Sequence, residues 1–143
     1  MSKSELHQAN NIAIEEKSLS DDILSESMAY AIAGAADDKK AQDIVLLKVS
    51  EVSYLADYFV VATGFSKPQL RAICDSIEQK VADDFEREPI RVEGKTDGRW
   101  VLIDYGEVIV HVFLAEEREF YNLEAFWGHA ERIDYGVEST LNI

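Results

Sequence analysis

Among 143 residues there is one cysteine, Cys74, and only two prolines. A single thiol excludes an intrachain disulfide and any cysteine cage for a metal, and it fits a reducing compartment. No apolar run approaches the roughly 18 residues that span a bilayer, so no membrane partner is expected. The leading residues MSKSELHQANNIAIEEKS lack the charged, apolar and small-residue sections of a secretory signal, and their acids argue against a transit peptide, so a cytoplasmic location is expected. Cations are also scarce. Fourteen Lys and Arg stand against 28 Asp and Glu, a net charge of −14. Such a surface repels phosphate backbones, so direct nucleic-acid binding through a broad basic face is not expected. A basic protein is the better match, and complementary charge would speed its encounter. The same acidity also serves plain solubility.

Present instead is an ordinary globular mixture, 47% hydrophobic and 29% charged, at the length of one domain. Residues 1–18 are polar without a sustained period and read as a flexible lead-in, with the domain at 19–128 and a tail at 129–143. A helix is expected to start at Ser20, an N-cap backed by Asp21 and Asp22 at the positive end of the dipole. Its stripe is Leu24, Met28, Ala31 and Ala35, and Gly34 with the following DDKK run marks its end. Two β-branched runs, Asp43–Val49 and Tyr58–Thr63, read as strands covered on both faces.

After Gly64, the SKPQ sequence fits a capping box, with Ser66 accepting from Gln69 and Pro68 tolerated in the first turn. Leu70, Ile73, Cys74, Ile77, Val81 and Phe85 then follow at helical spacing. Cys74 on that face reads as a buried hydrophobe rather than a nucleophile. Ile90–Glu93, Arg99–Asp104 and Glu107–Phe113 read as three further strands. The last two are joined tightly at Tyr105-Gly106 as an antiparallel hairpin. Val108, Val110 and Val112 take one face of the final strand, and Ile109, His111 and Phe113 the other. The segment after it, with Phe120, Leu123 and Trp127 at spacings of three and four, reads as a short helix. The order α-β-β-α-β-β-β-α predicts an α/β (α+β) fold with a mixed five-stranded sheet packed by helices.

Catalytic chemistry finds little support. A strand ending in Gly64 before a helix start could hold a phosphate, and Gly64 with Ser66 has the outline of the start of a nucleotidyltransferase site. Those enzymes need a carboxylate pair on a following strand for two magnesium ions, and the next strand offers Glu93 alone. His111 shares its strand with Glu107 and has no nucleophile or partner acid in view, so it reads as a polar contact of the sheet face or an interface edge. His7 and His129 have no ligand spacing. No cofactor or metal is expected. Aromatics gather late in the chain: Phe113, Phe120 and Trp127 read as core. Trp100 follows the polar GKTDGR loop, shares a face with Asp104, and is a candidate interface anchor.

The stretches DYFVVATGFSKPQ (57–69) and WVLIDYGEVIVHVF (100–113), with FYNLEAFW (120–127), are similar to the ribosomal silencing factor family, also called the RsfS or Iojap family. The resemblance runs from about Asp22 to Trp127. It implies a nucleotidyltransferase-like fold without the catalytic carboxylates, no enzymatic activity, and a translation repressor that binds the large ribosomal subunit through ribosomal protein fourteen. Binding there hinders joining of the small subunit, whereas organellar relatives assist large-subunit assembly; a homodimer is also implied. Carried over by position, the contact surface is Trp100, Asp104, Tyr105, Gly106, His111, Tyr121 and Glu124. This chain departs from the family pattern at Phe65, where a small polar residue is commoner, and at Glu107 in place of aspartate.

Overall fold

The computed structural model describes residues 3–50, 56–121 and 128–136. Helix α1 spans Lys3–Asp38, strand β1 Gln42–Lys48, β2 Tyr58–Gly64, α2 Lys67–Phe85, β3 Arg91–Glu93, β4 Trp100–Asp104, β5 Val108–Leu114, α3 Ala115–Tyr121 and β6 Glu131–Asp134. The six strands form one mixed sheet in the order β3-β4-β5-β2-β1-β6. Among the described strands only β2 and β5 run parallel, with Tyr58 facing Val108 and Gly64 facing Leu114. Every residue of β2 is buried, as a β-branched run between two neighbours requires.

The fold differs from the sequence expectation at both ends. Helix α1 begins at Lys3 and passes through Ser20, within the segment read as a lead-in. Residues 1–18 hold neither proline nor glycine, and nothing local stops a helix whose later turns are anchored by packing. Gly34 does not end it either. A Cβ there would sit 3.2 Å from Tyr135 Oη, so the glycine serves a close approach. The helix stops at Asp38, where Lys40 turns left-handed (φ 62°) and Ala41 N–H donates to Ala36 O at 3.1 Å. Its buried stripe is also rotated from expectation. Met28, Ala29, Ile32, Ala33 and Ala36 face inward, while Leu24 is exposed. At the other end, β6 adds a sixth strand in the segment read as a tail, pairing Val45 with Asp134 and Lys48 with Glu131. Its sequence, Glu-Arg-Ile-Asp, shows no apolar alternation, because an edge strand is held by its backbone and shielded from further pairing by charge.

Helices α1 and α2 cover one sheet face. That core joins Met28, Ile32, Leu70, Ile73, Cys74 and Ile77 to Leu46, Val60, Val101, Ile103, Val108, Val110 and Val112. Ser76 Oγ donates to Ala35 O at 2.9 Å and ties the helices together. The opposite face carries Val45, Leu47, Val49, Phe59, Val61 and Phe113, with Trp100 and Ile109 partly buried beside them. The alternation expected along β5 is therefore present.

Candidate protein-binding site

On β4 the strand period of two sends Val101 and Ile103 into the helix-side core and leaves Trp100, Leu102 and Asp104 half-exposed on the other face. Their neighbours across the hairpin are Phe113, His111 and Ile109. The Trp100 ring lies stacked on Phe113, centroids 4.8 Å apart, and its Nε1–H donates to His111 Nδ1 at 3.1 Å. His111 in turn sets its ring against the edge of Phe59 at 5.4 Å. Only 6% of His111 is exposed. Burial lowers its pKa from 6.5 to about 4, so at neutral pH the ring is uncharged and Nδ1 is a competent acceptor. A large aromatic with only part of its surface open to solvent is thus fixed by a stacking partner and a hydrogen bond, and loses little rotamer freedom when a partner covers it.

The far end of the same row is a rigid turn. Asp104 Oδ1 accepts from Gly106 N–H at 2.8 Å, and Oδ2 accepts from Arg91 Nε–H at 3.2 Å. Arg87 donates from Nη2 to Tyr105 O at 2.6 Å and to Glu107 at 2.8 Å. Gly106 sits at φ +92°, which a side chain tolerates poorly. Beside it Ile90, 69% exposed, begins the approach to edge strand β3 and donates its N–H to Asp104 O at 2.7 Å. The face therefore has an apolar centre of Trp100, Leu102 and Ile109 with a charged rim of Arg91, Glu93 and Asp104. Arg91 pairs with both of those acids.

Of the residues expected in the contact surface, Trp100, Asp104 and Gly106 lie along this face and its turn. His111 lies beneath Trp100 and acts through it. Tyr105 is a correction: it is fully buried in the helix-side core, because the alternation that buries Val101 and Ile103 carries on to it, opposite Asp104. Its hydroxyl has no hydrogen-bond partner among the described residues, and burial pushes its pKa up. Tyr121 ends α3; its side chain and that of Phe120, together with Leu123, Glu124 and Trp127, lie outside the described residues. Sequence reasoning missed Leu102, Ile90 and Arg91. The alternation that paired Trp100 with Asp104 already pointed to Leu102, whereas Ile90 and Arg91 depend on strand pairing that no local pattern reveals.

Three other places carry chemically suggestive groups: the start of α2, Cys74 and a cleft across the sheet. At the start of α2, Ser66 Oγ accepts from Gln69 N–H at 3.1 Å while Gln69 Oε1 accepts from Phe65 N–H at 2.8 Å. The capping box thus uses two of the donors that a phosphate would need. Cys74 is buried and its pKa is pushed up to about 12. Across the sheet, a cleft of about 420 Å³ is lined by Asp37, Asp43, Asp134, Arg118 and Arg132. There Arg118 donates to Asp43 O and to Thr63 Oγ1, and Arg132 pairs with Asp134 at 3.0 Å. Among the described residues no three His, Cys, Asp or Glu side chains converge to hold a metal.

Residues 22–142 match the family model described as ribosomal silencing factor during starvation. The ribosomal silencing factor of Bacillus subtilis is 42% identical over 114 residues, covering 78% of this chain and 96% of that one. The mouse protein named mitochondrial assembly of ribosomal large subunit protein 1 is 31% identical over 91 residues, 62% of this chain and 40% of its own. A crystal structure of a Chromobacterium violaceum protein superposes with a TM-score of 0.69 at 32% identity, covering 80% of this chain and 94% of that one. The match extends beyond Trp127 through β6, so the sixth strand lies within the shared sequence. This chain belongs to the ribosomal silencing factor family.

Proposed function

We propose that this chain represses translation by binding the large ribosomal subunit through its ribosomal protein fourteen and excluding the small subunit by bulk. Trp100 carries the reading. It is half-exposed, pre-ordered by Phe113 and His111, and set in an apolar strip with a charged rim, the composition of an interface anchor. The acidity of the chain complements a basic ribosomal protein. Occupancy suffices for the mechanism, so the protein acts in the compartment of its ribosomes without catalysing a reaction. The self-capped start of α2 supports this over a nucleotide-binding role. A second copy meeting the same aromatic face would form a homodimer, which light scattering over a concentration series detects.

The test is a sucrose gradient of ribosomal subunits with purified protein added. Co-migration with the large subunit and a fall in joined ribosomes is expected; protein left at the top with joining intact overturns the reading. The mouse relative's name favours a second reading, a factor for large-subunit assembly. Depletion of the protein separates the two: immature large subunits accumulate under the assembly reading, and mature subunits join more readily under repression.

A further inference from the structure

We propose that Phe65, Lys67 and Arg71, with Lys39 and Lys40 beside them, form a contact for unpaired RNA. The source of that RNA rests on the ribosome reading above; the patch itself does not. It lies where α1 ends and α2 begins, and the Lys67 stem runs beside Gly98 of the loop that leads into β4, so the patch neighbours the Trp100 end of that strand without sharing its residues. Gln69 gathers it: its Oε1 accepts from Phe65 N–H at 2.8 Å, and its Nε2 donates to Lys39 O at 3.2 Å and Lys40 O at 3.1 Å. All five residues are exposed, and Phe65 is 64% open. Among the large apolar side chains of the described residues, only Ile90 is more exposed.

The charges are unusual in three ways. No acidic residue occurs between Asp57 and Asp75 in a chain with 28 of them, so this stretch lacks the negative character of the rest. Lys39, Lys40, Lys67 and Arg71 make no ion pair among the described residues, whereas Lys80, Arg87, Arg91, Lys95, Arg99 and Arg132 each have a carboxylate within 4.0 Å. Thirdly, the first turn of α2 has no acid and begins with Lys67, although cations there are opposed by the helix dipole and acids are favoured. Lys39 and Lys40 have a local reason, since they follow the negative end of α1. Lys67 has none, and a local rule broken without local compensation points to an external anion.

The class of anion follows from Phe65. A small phosphate would use the backbone N–H groups of the helix start, yet those of Phe65 and Gln69 are engaged by the cap. What remains is an open aromatic ring among flexible cations, which suits stacking of a splayed base with side chains on the flanking phosphates. An acidic protein segment would use the cations and leave the ring without a role. The net charge of −14 opposes any polyanion at long range. At about 0.1 M salt the screening length is only about 10 Å, so the local cations decide the outcome.

The experiment is fluorescence anisotropy of the full chain with a short unstructured RNA oligonucleotide, alongside pelleting with large subunits. Saturable binding is expected. Phe65→Ala should weaken it roughly tenfold, and Lys67→Glu with Arg71→Glu should weaken it further and flatten the salt dependence of what remains. All three positions are exposed, so the variants should melt as the parent does. Variants that bind the oligonucleotide as the parent does, or absence of binding by the parent, overturn the proposal, as does equal affinity for polyglutamate. Trp100→Ala keeps the two readings apart. It should impair pelleting with subunits and leave oligonucleotide binding intact; a parent chain that binds RNA yet fails to pellet overturns the ribosome reading alone.

Discussion

At the scale of single residues, Trp100 and His111 form one device. Trp100→Ala removes the half-exposed ring and should weaken capture of the large subunit by about 2 kcal/mol, measured by pelleting at graded protein concentrations. His111 makes the same pair pH-sensitive. Its folded pKa of about 4 lies below the ordinary 6.5, so between those values the unfolded chain binds more protons. Stability is whole above about pH 6.5 and declines as pH falls toward 4, by roughly 3 kcal/mol over that window. His111→Gln should remove this portion of the acid loss, seen by comparing urea midpoints of the two proteins at pH 7 and pH 4.5. Tyr105→Phe deletes a buried hydroxyl that has no partner among the described residues. It should leave stability unchanged or raise it by about 1 kcal/mol, against the usual cost of a core substitution.

At the scale of elements, the loop before β4 sets where Trp100 points. Gly94 has φ +90°, and a Cβ there would collide with the Trp100 carbonyl oxygen. Gly94→Ala should therefore destabilise by about 2 kcal/mol or more and disorder the indole, read as a lower melting temperature and altered tryptophan fluorescence. The elements also show what the sequence could disclose. Helix α2 was legible from its cap to Phe85, because its apolar face and the Ser66–Gln69 pair agree. The β4–β5 hairpin was legible from Tyr105-Gly106 and the alternation after it. The start of α1 was not, since a capping signal at Ser20 is equally tolerated inside a helix that continues upstream. Strand β6 was invisible because its pairing with β1 supplies what its four residues lack. The site divided likewise: strand period put Trp100 and Asp104 on one face and, carried one step further, Tyr105 on the other with Val101 and Ile103, whereas the contacts of Ile90 and Arg91 with Asp104 depend on pairing with β3.

At the scale of the whole molecule, charge governs approach more than grip. With 28 acids against 14 bases, association with a basic ribosomal protein should slow as salt rises, and dissociation should change little. Stopped-flow rates at several ionic strengths test this; equal salt effects on both rates would count against electrostatic steering. The two proposed surfaces divide that dependence. The Trp100 face, with its internally paired rim, contributes little to the salt slope, while the unpaired cations near Phe65 would contribute most of any RNA term.

The parallel pair at the centre of the sheet bears on how the chain reaches this form. Tyr58 meets Val108 fifty residues later, and Val45 meets Asp134 later still. Neither pairing is available to a chain still missing its last third. During synthesis α2 can coil early on its own residues, but the sheet cannot close until β5 has emerged, and its β6 edge only after that. Long-range closure of this kind makes folding slow relative to helical domains of the same size. It also means that Trp100, which needs Phe113 and His111 of β5 to hold it, takes its fixed position only after the central strands have joined.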